Sequence, residues 1–264
     1  MYIEKMKEKN LVRTYAHFDK RMSIDEVAHY IIDEKKIATH SFLPFIRYIK
    51  RFYKYDGKKK SIKEREISYS SHMDRYIYQL YSLKLNEYYN FWIDRNQLDM
   101  VSIAYRTNLG RNNIDFSYLG FEFIKRTANC FVIIGDFTNF FDTLEHKYLK
   151  KQLVKLIGKS LPADYYAIFK NITGYSYWEL DDLLELNCLP KNKIGINKFN
   201  QLPTALSREV YRQNKKKYLV SNKNKCGIPQ GSAISAVLSN IYMMDFDEKL
   251  NSYIEKFGGL YMRY

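Results

Sequence analysis

The sequence predicts a mixed α/β protein, because strand patterns and helix patterns alternate along its 264 residues. Residues 130–136 form a short apolar run rich in β-branched side chains, which is typical of a buried central strand. Residues 58–70 alternate as a strand does, after a Tyr-Asp-Gly turn at 55–57 that indicates a hairpin. Residues 72–92 instead repeat apolar side chains at helical spacing.

Two further helices are predicted near the start of the chain. Ser23 and Glu26 have the spacing of a capping box, which opens a helix through Val27 and Ile31. Residues 41–53 carry apolar side chains at helical spacing, with a proline in the first turn, and are predicted to form the second helix.

The composition indicates a soluble protein with an anionic partner. Lys and Arg number 43 against 29 Asp and Glu, which gives a net charge of +14. Such an excess favours a polyanion, although a solvated basic surface would also explain it. The three cysteines are too few and too scattered for a disulfide framework or a zinc site. With no signal segment and no apolar run long enough to span a bilayer, we expect a cytoplasmic protein.

Two segments carry the most specific patterns. VIIGDFTNFFDTLEH, at 132–146, places Asp136 at the end of the predicted central strand, where a carboxylate can hold a cation. Asp142 and Glu145 have capping-box spacing, so we assign Asp142 to the start of the next helix and not to chemistry. GIPQGSAISAVLSNIY, at 227–242, is a Gly/Pro turn that presents a glutamine amide and then enters a helix.

These segments, followed by GGLYMRY at 258–264, resemble the palm of reverse transcriptases of the bacterial retron, group II intron and antiviral-defence type. The resemblance implies a right-hand polymerase fold with α/β fingers and palm. It implies a helical N-terminal extension at 1–54, fingers at 55–129 and an incomplete palm at 130–264. Residues 158–226 resemble nothing in the family and are interpreted as an insertion.

The family continues from the last tyrosine of this motif, through one residue, into two adjacent aspartates. Because the sequence stops at Tyr264, we expect a fragment of a longer protein that lacks this hairpin tip and the thumb. We also expect the fragment alone to bind nucleic acid weakly and to polymerise nothing.

The resemblance implies two-metal nucleotidyl transfer with Mg²⁺, or with Mn²⁺ in its place. In that chemistry two ions about 4 Å apart bridge carboxylates, the primer 3′-oxygen and phosphates. Asp136 would be the catalytic metal ligand, and Phe137 would lend its backbone carbonyl.

Four residues are implied to bind the incoming nucleotide. Arg65 would hold its triphosphate, and Lys63 is either a second phosphate ligand or a solvated charge on a strand edge. Phe141, five residues after Asp136, falls at the position that excludes a ribose 2′-hydroxyl, although an ordinary core phenylalanine would read the same. Gln230 would lie beside the nucleotide.

Three residues are predicted to contact the nucleic acid itself. Gly231 would lie beside the primer–template. Arg106 and Arg111, in a segment that resembles the family's approach to the palm, would contact its backbone. Solvated loop arginines are the commoner alternative for both.

The implied function is DNA synthesis on an RNA template from a DNA or RNA primer and deoxynucleoside triphosphates, and bacterial antiviral defence is the expected setting. An RNA-directed RNA polymerase would use the same palm chemistry, but Phe141 and the GIPQG loop argue against it. The other alternative is a nucleic-acid-binding scaffold without catalysis. The oligomeric state is left open.

Overall fold

The computed structural model describes residues 2–9, 13–55, 57, 60–127, 129–158 and 160–264. In chain order, its helices and strands are α1 (Tyr2–Lys9), α2 (Ile24–Ile31), α3 (Glu34–Ala38), β1 (Phe45–Tyr55), β2 (Lys60–Tyr69), α4 (His72–Arg95), α5 (Asn113–Thr127), α6 (Phe140–Thr143), α7 (His146–Ile157), α8 (Ala163–Thr173), β3 (Ser176–Glu179), α9 (Leu180–Leu186), α10 (Lys193–Phe199), α11 (Arg208–Tyr218), β4 (Val220–Ser221), α12 (Ser235–Tyr242) and α13 (Met244–Glu255). The predicted mixed α/β class is confirmed.

The four strands form one mixed sheet in the order β2-β1-β3-β4. β1 pairs antiparallel with β2 and parallel with β3, while β3 pairs antiparallel with β4. The predicted hairpin is therefore present, and of the residues between its two strands only Gly57 lies in the described chain. Residues from 158–226 supply β3 and β4, so this stretch shares a sheet with the hairpin.

Each face of the sheet packs against a separate apolar cluster. Phe45 at the start of β1 joins the larger cluster, where its ring stacks on Tyr78 of α4 at 6.0 Å. The next residue, Ile46, points to the opposite face and joins a second cluster around Trp178 of β3. This alternation follows from the two-residue period of a strand, and it places the sheet between two cores.

Helix α4 is the central element of the larger cluster. It begins after the cap of Ser71 and buries residues on every side, which requires its many tyrosines to satisfy their hydroxyl groups. Tyr81 donates to Asp164 at 2.5 Å, Tyr89 to Ser102 at 2.8 Å and Tyr76 to the carbonyl of Met22 at 3.2 Å. The helix predicted over 72–92 is thus confirmed.

The capping box of Ser23 and Glu26 is also confirmed at the start of α2. The helix predicted over 41–53 is wrong, because this stretch forms β1 from Phe45 onward. Its apolar residues satisfy the two-residue period as well as the helical one, and the ten-residue pairing with β2 decides between them.

The buried strand predicted at 130–136 is wrong as well. The segment is irregular and exposed, with Phe131 at 101% and Ile133 at 92% relative accessibility. No strand of the described residues pairs with it, so its backbone lacks the ladder partners that would bury it. Asp142 does not cap the following helix either, because Glu145 itself is the N-cap of α7 and accepts from the amides of Lys147 and Tyr148.

A strap formed by residues 13–23 crosses the second cluster, and His17 within it is fully buried. The His17 ring meets Tyr69 edge-on at 5.7 Å, and Tyr15 stacks on His72 at 4.6 Å. Burial lowers the pKa of His17 to about 3, and the neighbouring His72 acts in the same direction. His17 is therefore neutral in the folded state at all ordinary pH values.

We predict that acid destabilises the protein through His17. His17 binds a proton near pH 6.5 in the unfolded chain but not in the folded chain. Its contribution to the free energy of unfolding is therefore complete above pH 6.5 and is lost as the pH falls toward 3. The loss from this group is about 2 kcal/mol between pH 7 and pH 5. Urea unfolding at both pH values measures it. His17→Gln should make this loss smaller. Part of the loss should remain, because burial also lowers the pKa of His72. The exposed His29→Gln is the control, and an equal pH dependence in both variants would contradict the assignment.

Candidate active site

The GIPQG loop is bonded to the segment that contains Phe141. The amide of Ile228 donates to the carbonyl of Phe141 at 2.9 Å, and the amide of Gly227 donates to Leu144 at 2.9 Å. His146 Nε2 lies 2.7 Å from the carbonyl of Gly227 and donates to it. Gly227 has a φ of +91°, and a Cβ there would lie 3.1 Å from the carbonyl oxygen of Asp142. Glycine is thus required for this close approach.

The other end of the loop is bonded to the β1–β2 hairpin. The amide of Ser68, on the outer edge of β2, donates to the carbonyl of Gln230 at 2.7 Å. Gly231 follows at a φ of +110°, and a Cβ there would lie 2.8 Å from the Ser68 carbonyl oxygen and 3.0 Å from Ile67 Cγ2. The loop therefore covers the free edge of the sheet and joins it to residues 141–146.

Aromatic contacts anchor the residues between Asp136 and Phe141. The Phe137 ring lies 5.5 Å from Phe140 and 6.1 Å from Phe246 of α13. Phe246 in turn lies 6.4 Å from Tyr261, in the terminal segment. Phe141 is half-buried and packs against the larger apolar cluster. These contacts connect the stretch after Asp136 to both the loop and the end of the chain.

Asp136 itself is exposed. Among the described residues, its carboxylate has no ion pair or hydrogen bond, and no group of three or more His, Cys, Asp or Glu side chains could hold a metal. One carboxylate and the Phe137 carbonyl are oxygen donors of the kind that Mg²⁺ takes, but they would fill only part of its octahedral shell. The described residues therefore form at most part of a metal site.

The predicted phosphate ligands Lys63 and Arg65 lie on β2, exposed and on the same face as Ile67. Arg65 pairs across the hairpin with Lys50, and the ring of Phe52 lies 5.3 Å from the Arg65 guanidinium and 5.1 Å from the Lys50 ammonium. Because Ile67 contacts the position of Gly231, this basic face begins beside the loop.

The opposite face of the hairpin carries a site that the sequence did not indicate. Arg47 lies 3.9 Å from the ring of Tyr177, bonds to Glu66 at 2.5 Å and also pairs with Glu179. Partial burial raises the pKa of Asp142, and the charge of Arg47 partly offsets this shift. Arg47 was missed because its segment was predicted to be a helix, where it would not face β3.

The structure corrects the prediction for Arg106. Its guanidinium is fully buried, donating to Asn90 at 3.0 Å, to Asp99 at 2.9 Å and to the carbonyl of Ser102 at 3.2 Å. These bonds assign Arg106 to structure and leave it no access to nucleic acid. Arg111 is exposed ahead of α5, and no hydrogen bond or ion pair described for the chain connects it to the loop.

The terminal segment is fixed by a buried ion pair. Arg263 donates to both carboxylate oxygens of Asp247, at 2.9 Å to Oδ1 and 2.7 Å to Oδ2, and to Asn240 at 3.1 Å. The Tyr261 hydroxyl donates to the same Asp247 at 2.9 Å. The expected strand start is present only as a single bridge between Arg263 and Ser102.

Comparison of the sequence with protein-family models and with curated proteins finds no match. Among the described helices, none has both the length and the apolar character needed to cross a bilayer. The resemblance to reverse transcriptases therefore stays a hypothesis based on motifs and on the geometry of the loop.

We predict that Gly231→Ala destabilises the protein by about 1–3 kcal/mol, because the new Cβ meets the Ser68 carbonyl and the backbone needs a positive φ. Gly120→Ala in α5 is the control, since no atom lies within 4 Å of its Cβ position. This change should be neutral or stabilising by up to about 1 kcal/mol. Urea unfolding measures both variants, and a Gly231→Ala protein as stable as the parent would show that the loop does not dock on β2.

Proposed function

We propose that this chain forms the fingers and part of the palm of an RNA-directed DNA polymerase, which adds deoxynucleotides to a primer end. One observation carries the proposal: backbone hydrogen bonds join the GIPQG loop both to Phe141 and to Ser68. The β1–β2 hairpin, the segment at 132–146 and the GIPQG loop are far apart in the sequence. Their convergence is what a nucleotide site shared by fingers and palm requires.

In this proposal each converging residue has one role. Phe141 restricts the space beside the sugar of the incoming nucleotide, so that a 2′-hydroxyl is excluded. Gln230 positions the nucleotide, and the exposed Gly231 lies beside the primer–template. Arg65 and Lys63 bind the triphosphate, since exposed cations beside the loop suit phosphate oxygens.

Asp136 is proposed as one carboxylate ligand of Mg²⁺, or of Mn²⁺ in its place, with the carbonyl of Phe137. The metal would stabilise the charge that develops on the transferred phosphate. Since the described residues supply no further ligand group, the remaining ligands of the metal would come from outside them.

The second candidate is a nucleic-acid-binding scaffold without catalysis. It is favoured by the absence of any group of three potential metal ligands among the described side chains. A scaffold would retain the basic surfaces and bind nucleic acid, but it would incorporate no nucleotide.

We predict that Asp136→Asn abolishes DNA synthesis by the full-length gene product. Loss of a metal-binding carboxylate should lower incorporation by about a thousandfold or more, which corresponds to about 4 kcal/mol. Primer extension on an RNA template with Mg²⁺ measures it. Asp142→Asn is the matched control and should change the rate less than about threefold. Synthesis that survives Asp136→Asn would contradict the role, and nucleic-acid binding without any synthesis by the parent protein would establish the scaffold.

We predict that Phe141→Ala relaxes sugar selection. Removal of the ring opens space for the 2′-hydroxyl, so the preference for deoxynucleotides over ribonucleotides should fall about 10–200-fold. The ratio of the two incorporation efficiencies in the full-length protein measures this change. Phe140→Ala, at the neighbouring ring that packs on Phe137 and Tyr242, should leave the ratio unchanged. An unchanged ratio in Phe141→Ala would remove the reason for preferring DNA over RNA as the product.

A further inference from the structure

Helix α11 carries an excess of positive charge that the proposed nucleotide site does not use. Its eleven residues include five basic side chains and one acidic side chain, Glu209. One of the five, Lys217, interacts with neighbouring groups of the protein. Its ammonium lies 4.6 Å from the ring of Tyr218. Tyr218 raises the pKa of Lys217, and the carboxylates of Glu185 and Asp182 on α9 act in the same direction.

The other four cations lie on the outer side of the helix. They are exposed, and Arg208, Arg212 and Lys216, spaced at i, i+4 and i+8, form one stripe along the helix, the α11 stripe. The four residues are Arg208, Arg212, Lys215 and Lys216. In the part of the chain that the structure describes, none of them pairs with a carboxylate. Like charges at this spacing repel, so the stripe destabilises an isolated helix.

Some lysines elsewhere on the surface are paired with acids. Lys7 lies 2.7 Å from Asp25, and Lys36 lies 3.7 Å from Asp33. Lys5 lies 3.9 Å from Glu87. The α11 stripe differs from these three lysines in the absence of compensating acids, so the three lysines serve as a comparison for it.

The stripe is held rigidly on the sheet. Trp178 of β3 is fully buried, and its ring stacks on Tyr211 at 5.5 Å and on Tyr218 at 5.8 Å. Ser207 caps the first turn by accepting from the amide of Val210. A rigid helix presents its charges without a further ordering cost when a ligand binds.

The same face of the sheet carries the second basic cluster. Trp178 is in register with Ile46, so both point to the face that α11 covers. Lys50, Lys63 and Arg65 project from this face farther along the hairpin. The opposite face of the hairpin is neutralised instead, because Arg47 pairs with Glu66 and Glu179 and Arg51 pairs with Glu64 at 2.7 Å.

We propose that the α11 stripe binds the phosphate backbone of a nucleic-acid strand that crosses this face of the sheet toward the basic end of the hairpin. The proposal rests on the proposed function for its ligand class and adds a binding surface outside the nucleotide site. Because the contacts join cations to phosphates, binding follows the backbone and is independent of base sequence.

The test measures binding of a fluorescein-labelled 20-nucleotide uridine RNA by anisotropy over a range of KCl concentrations. The variant Arg208→Gln, Arg212→Gln, Lys216→Gln removes three charges from the stripe. The matched control is Lys5→Gln, Lys7→Gln, Lys36→Gln, which removes three charges from paired lysines. Both variants therefore have the same net charge, and urea unfolding verifies that each is folded.

The stripe variant should weaken RNA binding about tenfold or more at moderate salt. The negative slope of log K against log [KCl] should become shallower by about 2. The control should bind within about twofold of the parent with an unchanged slope. If the stripe variant is unstable, Arg212→Gln alone should lower the slope by about 0.7. A stripe variant that binds like the parent, or no worse than the control, would overturn the proposal.

Failure of this inference is distinguishable from failure of the proposed function. RNA binding that depends on the stripe, in a full-length protein that incorporates no nucleotide, would support the inference and reject the polymerase. Synthesis that depends on Asp136, in a protein whose RNA binding is unchanged by the stripe variant, would support the polymerase and reject the inference.

Discussion

The arrangement depends on the short loop from Gly227 to Gly231, which carries backbone hydrogen bonds in two directions. One set reaches Phe141 and Leu144, and the other reaches Ser68 on the edge of β2. Both terminal glycines have positive φ and approach carbonyl oxygens too closely for a side chain. Without this loop the hairpin edge would be unpaired, and nothing described for the chain would hold Phe141 and Gln230 at the same place.

The two-residue period of β1 separates two kinds of chemistry. One face carries Arg47, which is held by Glu66, Glu179 and the ring of Tyr177. The other face carries Ile46 toward the second core and then Lys50 toward solvent. A single strand thus provides a neutralised contact to β3 on one side and an uncompensated basic surface on the other. This separation is what allows the same hairpin to be anchored and to remain accessible to an anionic ligand.

Local signals predicted the elements that local interactions determine. The capping box of α2, the tyrosine-rich α4 and the turn before β2 all follow from side chains a few residues apart. The errors at 41–53 and 130–136 have another cause: short apolar runs satisfy more than one period, and the partner that decides between them is distant in sequence. Within the site, the meeting of Phe141 with the loop was predictable from the resemblance. The burial of Arg106 was not, because its ligands include backbone carbonyls.

Amide hydrogen exchange at Ser68 and Ile228 tests the central claim most directly, since both amides donate to residues that the loop brings together. Ser68 lies on the outer edge of β2, where an amide without a partner exchanges rapidly with solvent. The account predicts slow exchange at both amides, with protection close to that of core amides in α4. Rapid exchange at Ser68 and Ile228, in a protein whose α4 amides remain protected, would show that the loop does not join the hairpin to residues 141–146.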